Sequence, residues 1–362
     1  MNDTPNIRFD VASVLNRGCR DYQEDAIATD FPMGADFGYA VLSDGMGGHA
    51  AGDVASKIVV TEVFSELKFQ SSNPETFEEN ISEVLKTAAV SANECMAAHA
   101  TSNPDTAGMG ATLVAPVIVG DCLYWISIGD SPLYLMRNGR LRQLNEDHSL
   151  GPHIDYMVRS GMMSEDVGRN HPDRNALTSV LIGETIERID CPEVPVRLQH
   201  GDILIVASDG LQFLSNREIT DIVLENTDAG SDTIAETLLQ NLRELDDPEQ
   251  DNVCFSVIKV SVSDTEAEGN VFAHDVEPHK PSRPRVTTRP IRVAEMEPTP
   301  EPEPAAEDDE DDGWDWGDDF DDDDLDKTAP AASASPPPAQ QNGSGGDTTP
   351  IFLRRRWLAT DG

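Results

Sequence analysis

Apolar and polar positions alternate with two different periods along the first 263 residues. Short runs rich in Val, Ile, Leu and aromatic residues, bounded by Gly, Asp and Asn, are typical of β-strands. Longer segments place Val, Ile, Leu and Ala every three or four residues with charged residues between them, as amphipathic helices do. The predicted strands span residues 10–15, 26–31, 38–42, 111–119, 122–128, 133–137, 203–207 and 253–260, and the clearest predicted helices span 52–69, 76–100, 215–224 and 232–245.

The order of these elements predicts an α+β fold, a four-layer α-β-β-α sandwich of two antiparallel β-sheets flanked by helices. The strands between residues 111 and 143 are separated by turn signals at 120–121, 130–132 and 138–139. Gly-Asp, Asp-Ser-Pro and Asn-Gly favour tight turns, so we expect a meander of hairpins there. The helices are expected to cover the core rather than to bind a partner.

Residues 148–177 carry a weaker pattern, because glycines and a His-Pro pair interrupt it around one short helical candidate at 155–160. Glycine-rich loops of this length in a compact domain are usually functional or mobile. The pattern leaves two interpretations open, a lid over a cleft and a plain surface loop.

The composition changes sharply near residue 263. Beyond it, Pro, acids and small residues dominate, and such a segment buries too little apolar surface to offset its ordering entropy. We therefore expect one folded domain over residues 1–263 and a disordered, acidic, Pro-rich tail over residues 264–362.

Two stretches of the tail are patterned. Residues 307–326 hold 14 acids among 20 positions, interrupted by Trp314, Trp316 and Phe320. Most acidic runs are simply solvated, but large rings inside one supply anchors for docking. Residues 351–359 combine apolar and cationic side chains. The expected roles of the tail are binding of a protein partner or an anionic surface, or autoinhibition by folding back on the domain.

Charge excludes one class of function. The chain carries 67 acids against 26 lysines and arginines, a net charge of −41. Residues 1–263 alone carry 42 acids against 17 basic side chains. Nucleic-acid binding needs a basic face that displaces counterions from phosphates, and none is indicated. We expect no nucleic-acid partner.

The cysteines and the N-terminus indicate the compartment. The five cysteines are odd in number and lack CxxC spacing, which argues against a disulfide framework and a zinc site. The first residues lack the basic start and apolar core of a signal peptide, and no apolar run approaches the ~20 residues of a transmembrane segment. We expect a cytoplasmic protein.

Four short acidic stretches adjoin predicted strands, at residues 20–25, 43–48, 208–210 and 251–252. In two of them an apolar run ends in Ser-Asp-Gly. Strand ends present side chains to a cleft, and oxygen-only ligands suit hard divalent cations such as Mg²⁺ or Mn²⁺. One Asp-Gly pair is an ordinary turn signal, but the repeated arrangement favours a shared metal site.

Together with Gly-Met-Gly-Ala-Thr at 108–112 and Gly-Asp-Ser at 129–131, these stretches resemble the PPM family of metal-dependent protein phosphatases, the type 2C class of Ser/Thr phosphatases, in its bacterial form. Six separated blocks occur in the family's order over about residues 8–262. The resemblance implies hydrolysis of phosphoserine and phosphothreonine in proteins that Ser/Thr kinases modify. It also implies two divalent cations, Mn²⁺ or Mg²⁺, and a weaker third ion.

The same resemblance implies the metal ligands. Asp44 is expected to bridge the two ions, and the backbone carbonyl of Gly45 to bind one of them. Asp209 and Asp251 are expected to complete the other. Glycine suits position 45, because the chain must turn sharply and bring a carbonyl to the ion.

Residues around these ligands have implied roles as well. Glu24 and Asp25 are expected to orient metal-bound waters. Asp130 either holds the third ion or only caps a turn. A hydroxide bridging the two ions would attack phosphorus in line, and the planar guanidinium of Arg20 would grip phosphate oxygens.

The chain departs from the family's pattern at three positions. Met46 stands where many eukaryotic members have a His that can protonate the leaving alkoxide, and Met cannot donate a proton. A metal-bound water or another group would then have to donate the proton, and among His49, His148 and His171 none is favoured. Pro132 and Ser179 stand where the family commonly has Arg, which affects substrate contacts more than metal ligands.

Two other functions fit the composition. A pseudophosphatase would bind phosphoproteins or sense metal and act through its acidic tail, but Arg20, Asp44, Asp209 and Asp251 are all present. An acidic interaction scaffold would leave the spaced Asp-Gly turns unexplained.

Overall fold

The computed structural model describes residues 6–47, 50–72 and 74–263, and the predicted tail, 264–362, lies outside them. The strands are β1 Asn6–Asn16, β2 Asp25–Asp30, β3 Phe37–Met46, β4 Gly110–Ala111, β5 Leu113–Val119, β6 Cys122–Ile128, β7 Leu133–Arg137, β8 Arg140–Gln143, β9 Val196–Arg197, β10 Ile203–Ala207 and β11 Val253–Ser263. The α-helices are α1 Ala50–Gln70, α2 Pro74–Glu79, α3 Ile81–Ser102, α4 Gly151–Arg159, α5 Glu165–Arg169, α6 Asn216–Glu225 and α7 Ser231–Glu244, with 3₁₀ turns at Pro104–Thr106 and Asp209–Phe213.

The strands form two sheets. The first has the order β1-β11-β10-β7-β8, and the second has the order β2-β3-β5-β6-β9, with β4 pairing with β3. The strand pairs within each sheet are antiparallel. The predicted α+β sandwich of two antiparallel sheets flanked by helices is confirmed.

Three apolar clusters hold the four layers together. One lies between the sheets, one lies between the second sheet and helices α1 and α3, and one lies between the first sheet and helices α6 and α7. Alternation along each strand decides which cluster a side chain joins. In β10, Leu204 and Val206 join the cluster between the sheets, whereas Ile203 and Ile205 join the cluster under α6 and α7.

The expected meander over residues 111–143 is wrong as a single unit. β5 pairs with β6 in the second sheet, and β7 pairs with β8 in the first sheet. Residues 129–132 therefore cross from one sheet to the other. Gly129 permits the crossing, since its φ is 109° and a Cβ there would lie 2.7 Å from Thr112 Cγ2. A turn signal alone does not specify which sheet the next strand joins.

The predicted helix over residues 76–100 is two helices, α2 and α3, which meet at Asn80. The side-chain amide of Asn80 donates a hydrogen bond to the carbonyl of Thr76 at 2.9 Å. Such a local side-chain bond competes with the helical backbone and favours a break.

The segment 148–177 contains two helices, α4 and α5, rather than the single candidate at 155–160. Its ends meet, because Ser149 and Leu177 form an antiparallel bridge. Arg174 donates two hydrogen bonds to the carboxylate of Asp155 in α4, at 2.8 and 3.0 Å, and these bonds lower the pKa of Asp155. The segment is thus anchored at its base, and its roles as a lid or a surface loop both stay predictions.

Among the helices of the described residues, none combines the length and the apolar character needed to cross a membrane.

The cluster between the sheets is expected to carry a large part of the domain's stability. Leu204 is 0% exposed within it, so Leu204→Ala should lower the free energy of unfolding by about 2–5 kcal/mol through lost burial and a residual cavity. Leu15→Ala is the control, because that side chain is 55% exposed and its loss should change stability by about 0.5 kcal/mol or less. Urea unfolding measures both variants, and equal losses would contradict the layer assignment.

Candidate active site

Asp25 and Asp44 lie opposite each other in neighbouring strands. The register of β2 and β3 pairs their Cα atoms, and their side chains are 4% and 5% exposed. Residues directly opposite each other in an antiparallel pair project to the same face of the sheet. Two acids buried on one face need cations or hydrogen-bond donors to offset their desolvation.

Ser208 joins these acids to the other sheet. Its hydroxyl donates to Asp25 Oδ2 at 2.7 Å and accepts the backbone N–H of Cys254 at 3.0 Å. The backbone N–H of Ser208 also donates to the carbonyl of Cys254 at 2.8 Å. Asp209 follows directly and begins a 3₁₀ turn, so it lies on the turn that Ser208 fixes beside Asp25.

The loop between β1 and β2 reaches the same place. The Glu24 N–H donates to Asn252 Oδ1 at 2.7 Å, and the Glu24 carbonyl accepts the N–H of Gly45 at 3.1 Å. In the same loop, Arg20 donates from Nη2 to Asp251 Oδ2 at 2.8 Å. Backbone and side-chain bonds therefore connect three of the four acidic stretches directly, and Ser208 connects the fourth.

Asp130 belongs to the crossing segment that also meets Asp44. The backbone N–H of Asp44 donates to Thr112 Oγ1 at 2.9 Å, and the Asp44 carbonyl accepts the N–H of Thr112 at 2.9 Å. The Thr112 hydroxyl is 2.7 Å from that of Ser131, the residue after Asp130. Thr112 thus links the turn of Asp44 with the turn of Asp130.

Two glycines let the turns approach closely. A Cβ at Gly45 would lie 2.0 Å from the carbonyl oxygen of Gly52, and one at Gly210 would lie 1.9 Å from that of Asn252. Real Cβ atoms do not come so near to backbone atoms, so a side chain at either position would displace the turn that carries Asp44 or Asp209.

The donors at this edge fit a hard divalent cation in their chemistry, because they are carboxylate and backbone carbonyl oxygens. Among residues 6–47, 50–72 and 74–263, no group of three or more His, Cys, Asp or Glu side chains is arranged as a ready-made metal site. The structure brings the turns of the predicted ligands together, and coordination by Asp44, Gly45, Asp209 and Asp251 stays a proposal.

The buried thiol of Cys254, close to Asp25 and Asp44, is neutral. Cys254 is fully buried, and burial, followed by the charges of Asp25 and Asp44, raises the pKa of its thiol well above the ordinary value. A thiol with a raised pKa is a poor nucleophile. The chemistry of this edge is therefore carried by oxygen atoms. All five cysteines lie within the described residues as free thiols.

The histidines considered as proton donors have other surroundings. His148 is 0% exposed, and its Nδ1 accepts the backbone N–H of Gly129 at 3.2 Å. His171 Nδ1 accepts the N–H of Asp173 at 3.2 Å. Both rings thus accept hydrogen bonds from the local backbone. His49 lies outside the described residues.

Two departures from the family pattern have structural roles. Ser179 is 2% exposed, and its hydroxyl donates to the carbonyl of Arg188 and accepts the Arg188 N–H, at 2.7 and 3.0 Å. The carbonyl of Pro132 accepts the N–H of Ala207 at 3.0 Å, which ties the crossing segment to the end of β10. Neither residue offers a cation to a substrate.

Sequence reasoning named the acids but missed the polar residues that hold them, Thr112, Ser131, Ser208 and Asn252. All four lie inside the motifs already quoted. Their side-chain contacts include sequence separations from 19 to 235 residues. Only adjacency to an acidic motif could have signalled them.

A sandwich of two antiparallel sheets between helices, with buried acids gathered at one edge, is the architecture expected of a metal-dependent phosphatase. Residues 20–246 match the protein phosphatase 2C family, which is more than half of the chain. The chain therefore belongs to the protein phosphatase 2C family, and the predicted family and enzyme class are confirmed.

Individual relatives agree with this assignment. Serine/threonine phosphatase stp of Listeria welshimeri is 37% identical over 184 residues, which cover 51% of this chain and 70% of the relative. The crystal structure of the Mycobacterium tuberculosis serine/threonine phosphatase PstP/Ppp is 28% identical with a TM-score of 0.58, covering 70% of this chain and 99% of that one. The catalytic domain of PstP in complex with two manganese ions is 27% identical with a TM-score of 0.56, at the same coverages.

The burial of His148 makes stability depend on pH. Burial, reinforced by the charge of Arg188, lowers the pKa of His148 below its ordinary value of 6.5. As pH falls below 6.5, the unfolded chain takes up a proton that the folded one resists, so stability is lost down to the folded pKa. His148→Gln should reduce this loss, measured as the change in unfolding free energy between about pH 7.5 and pH 5.5.

The control for this comparison is His153→Gln, because His153 is exposed on α4. That variant should keep the pH dependence of the unaltered chain. An unchanged dependence in His148→Gln would show that His148 does not contribute to it.

Proposed function

We propose that this chain removes phosphate from phosphoserine and phosphothreonine in proteins, using two divalent cations, Mn²⁺ or Mg²⁺. The observation that carries the proposal is the set of hydrogen bonds that gathers Arg20, Asp44, Asp209 and Asp251 at one edge of the sandwich. The names of the relatives support the substrate class, and the manganese-bound PstP structure supports the cations.

In this proposal Asp44, the carbonyl of Gly45, Asp209 and Asp251 would hold the two ions. When bound, such a pair of ions activates water at neutral pH and offsets the charge of the phosphate. The buried position of Asp44 and the close packing of Gly45 give these donors one fixed geometry.

Three further acids support the proposed ligands. Asp25, held by the Ser208 hydroxyl, and Glu24, held through its backbone, orient water around the ions. Asp130 is the proposed ligand of a weaker third ion, and the bond between Thr112 and Ser131 places its turn next to that of Asp44.

Arg20 is proposed to bind the phosphate. Its side chain is 37% exposed while Nη2 contacts Asp251, so the guanidinium lies at the border between the acids and solvent. A planar guanidinium can bind two phosphate oxygens at once and compensates the charge on them. Because neither Met46 nor the buried His148 offers a proton there, solvent water is the proposed donor to the leaving alkoxide.

The proposed substrates are phosphoproteins made by Ser/Thr kinases in the cytoplasm. The free thiols fit a reducing compartment. The net charge of the folded part is strongly negative, so bound cations are needed before an anionic substrate approaches.

Asp209→Asn tests the proposed reaction. Phosphate release from a phosphothreonine peptide by the unaltered chain should require Mn²⁺ or Mg²⁺ and stop with EDTA. Asp209→Asn should lower kcat/KM by more than about 100-fold, because a proposed ligand is lost. The control, Asp221→Asn, changes an exposed acid on α6 and should leave activity intact.

The same measurement separates the enzyme from a pseudophosphatase. A pseudophosphatase would bind the phosphopeptide and release no phosphate with either cation. That result would overturn the proposed reaction.

We also propose that the tail restrains the enzyme. Residues 307–326 hold 14 acids and three large aromatic residues, so this segment resembles a phosphorylated substrate in charge and offers anchors for docking. An acidic segment that competes for the cation-bearing cleft raises the apparent KM.

A chain ending at residue 263 tests the restraint. At equal ionic strength it should show a lower KM for the phosphopeptide than the full chain, with a similar kcat. The replacement of Trp314, Trp316 and Phe320 by Ala in the full chain should lower KM in the same direction. Equal KM values for all three proteins would overturn autoinhibition.

A further inference from the structure

One buried amide outside the proposed catalytic set makes three hydrogen bonds to the loop that carries Arg20. Asn252 is 4% exposed and follows the proposed ligand Asp251 directly. Its Oδ1 accepts the N–H of Glu24 at 2.7 Å, and its Nδ2 donates to the carbonyls of Arg17 and Tyr22 at 2.8 and 2.9 Å.

These three bonds use both Nδ2 donors and one Oδ1 acceptor position, and their partners lie on both sides of Arg20 in the sequence. Arg17 precedes Arg20, and Tyr22 and Glu24 follow it. Residues 17–24 form neither helix nor strand, so hydrogen bonds fix the path of this loop. Besides the bonds of Asn252, Arg17 Nη1 donates to the carbonyl of Asp21 at 3.3 Å, and the N–H of Cys19 donates to the carbonyl of Gln250 at 3.0 Å. Asn252 reaches the loop across more than 200 positions of the chain.

The backbone of Asn252 also makes close contacts. Its carbonyl packs against Gly210, where a Cβ would lie 1.9 Å away, and its N–H donates to Asp251 Oδ1 at 2.8 Å. Asn252 therefore contacts the turn of Asp209 and the proposed ligand Asp251 through its backbone, and the loop of Arg20 through its side chain.

We propose that Asn252 is a positioning residue that shapes loop 17–24 and so sets the reach of Arg20 toward a substrate phosphate. This inference rests on the proposed function, because the phosphate-binding role of Arg20 belongs to it. Asn252 itself does not touch the phosphate. Among side chains of this size, only an amide accepts one bond from a backbone N–H and donates two bonds to carbonyls.

Asn252→Asp is the decisive variant, because it keeps the shape and the acceptor but loses both Nδ2 donors. The carboxylate also faces the carbonyls of Arg17 and Tyr22, which it repels. The expected result is a rise in KM for the phosphothreonine peptide of about tenfold, with kcat changed less than about threefold, since Arg20 binds phosphate in both ground and transition states.

Asn93→Asp is the matched control. Asn93 is 7% exposed, its Oδ1 accepts the N–H groups of Ile182 and Gly183, and its Nδ2 donates to the carbonyl of Glu184 at 2.6 Å. It is a buried amide with three bonds in a different part of the domain. Asn93→Asp loses the one bond that Nδ2 donates, where Asn252→Asp loses two, so it should lower stability without raising KM.

A double-mutant cycle shows whether Asn252 acts through Arg20. In an Arg20→Ala background, Asn252→Asp should change kcat/KM by less than about threefold, because the group that it positions is gone. A purely structural residue would have the same effect in both backgrounds, so additive effects would overturn the proposal. A KM rise in Asn93→Asp equal to that in Asn252→Asp would overturn it as well.

Hydrogen exchange supplies a readout that does not depend on catalysis. In the full chain without added metal, amides of residues 17–24 should exchange faster in Asn252→Asp than in the unaltered chain or in Asn93→Asp, because the Nδ2 bonds that hold this loop are lost. Unchanged exchange would overturn the positioning role. If the unaltered chain released no phosphate, the proposed function would fail, and the exchange rates would still decide whether Asn252 holds the loop.

Discussion

The hydroxyl of Ser208 is the contact on which the candidate site depends. It joins Asp25 of one sheet to the backbone of Cys254 in the other, at a point where both partners are buried. Apolar packing between two sheets is not directional and leaves their relative shift weakly defined. A buried hydrogen bond with short distances defines that shift, and water does not compete for it. This bond aligns the turn of Asp209 with Asp25, while the bonds from Glu24 to Asn252 and from Arg20 to Asp251 connect the other turns.

The same edge concentrates charges that repel one another. Asp25 and Asp44 are buried on one face in a domain that is already strongly negative. Hydrogen-bond donors stabilise the carboxylates at this edge. The Ser208 hydroxyl donates to Asp25, and Arg20 donates to Asp251. A site built in this way is stable as a framework but strongly favours cations, since each added positive charge relieves the repulsion between carboxylates. The repulsion between the carboxylates thus explains both why the acids need hydrogen-bond donors and why the edge favours cations.

Most of the strands and helices could be predicted from the sequence, because their periodicity is a local property of the chain. The strands at 122–128, 133–137 and 203–207 were predicted with the bounds that the structure shows. The division of 111–143 between two sheets was missed, since a turn motif such as Gly129-Asp-Ser does not encode which strand comes next in space. The acidic stretches stand out in the sequence because they adjoin predicted strands, and their role as metal ligands stays a proposal. Ser208 and Asn252 were missed, because their roles arise only from contacts with distant residues.

The first and last strands of the domain are partners, from Asn6 with Ser263 to Asn16 with Val253. Arg20 and Glu24 follow the first of these strands, and Asp251 and Asn252 precede the second. During synthesis at about 5–20 residues per second, the halves of the site are therefore separated by nearly the whole translation of the domain. A nascent chain that stalls before its final strand carries the early acids on unpaired turns. The residues of the candidate site therefore come together only after the last strand of the domain has been made.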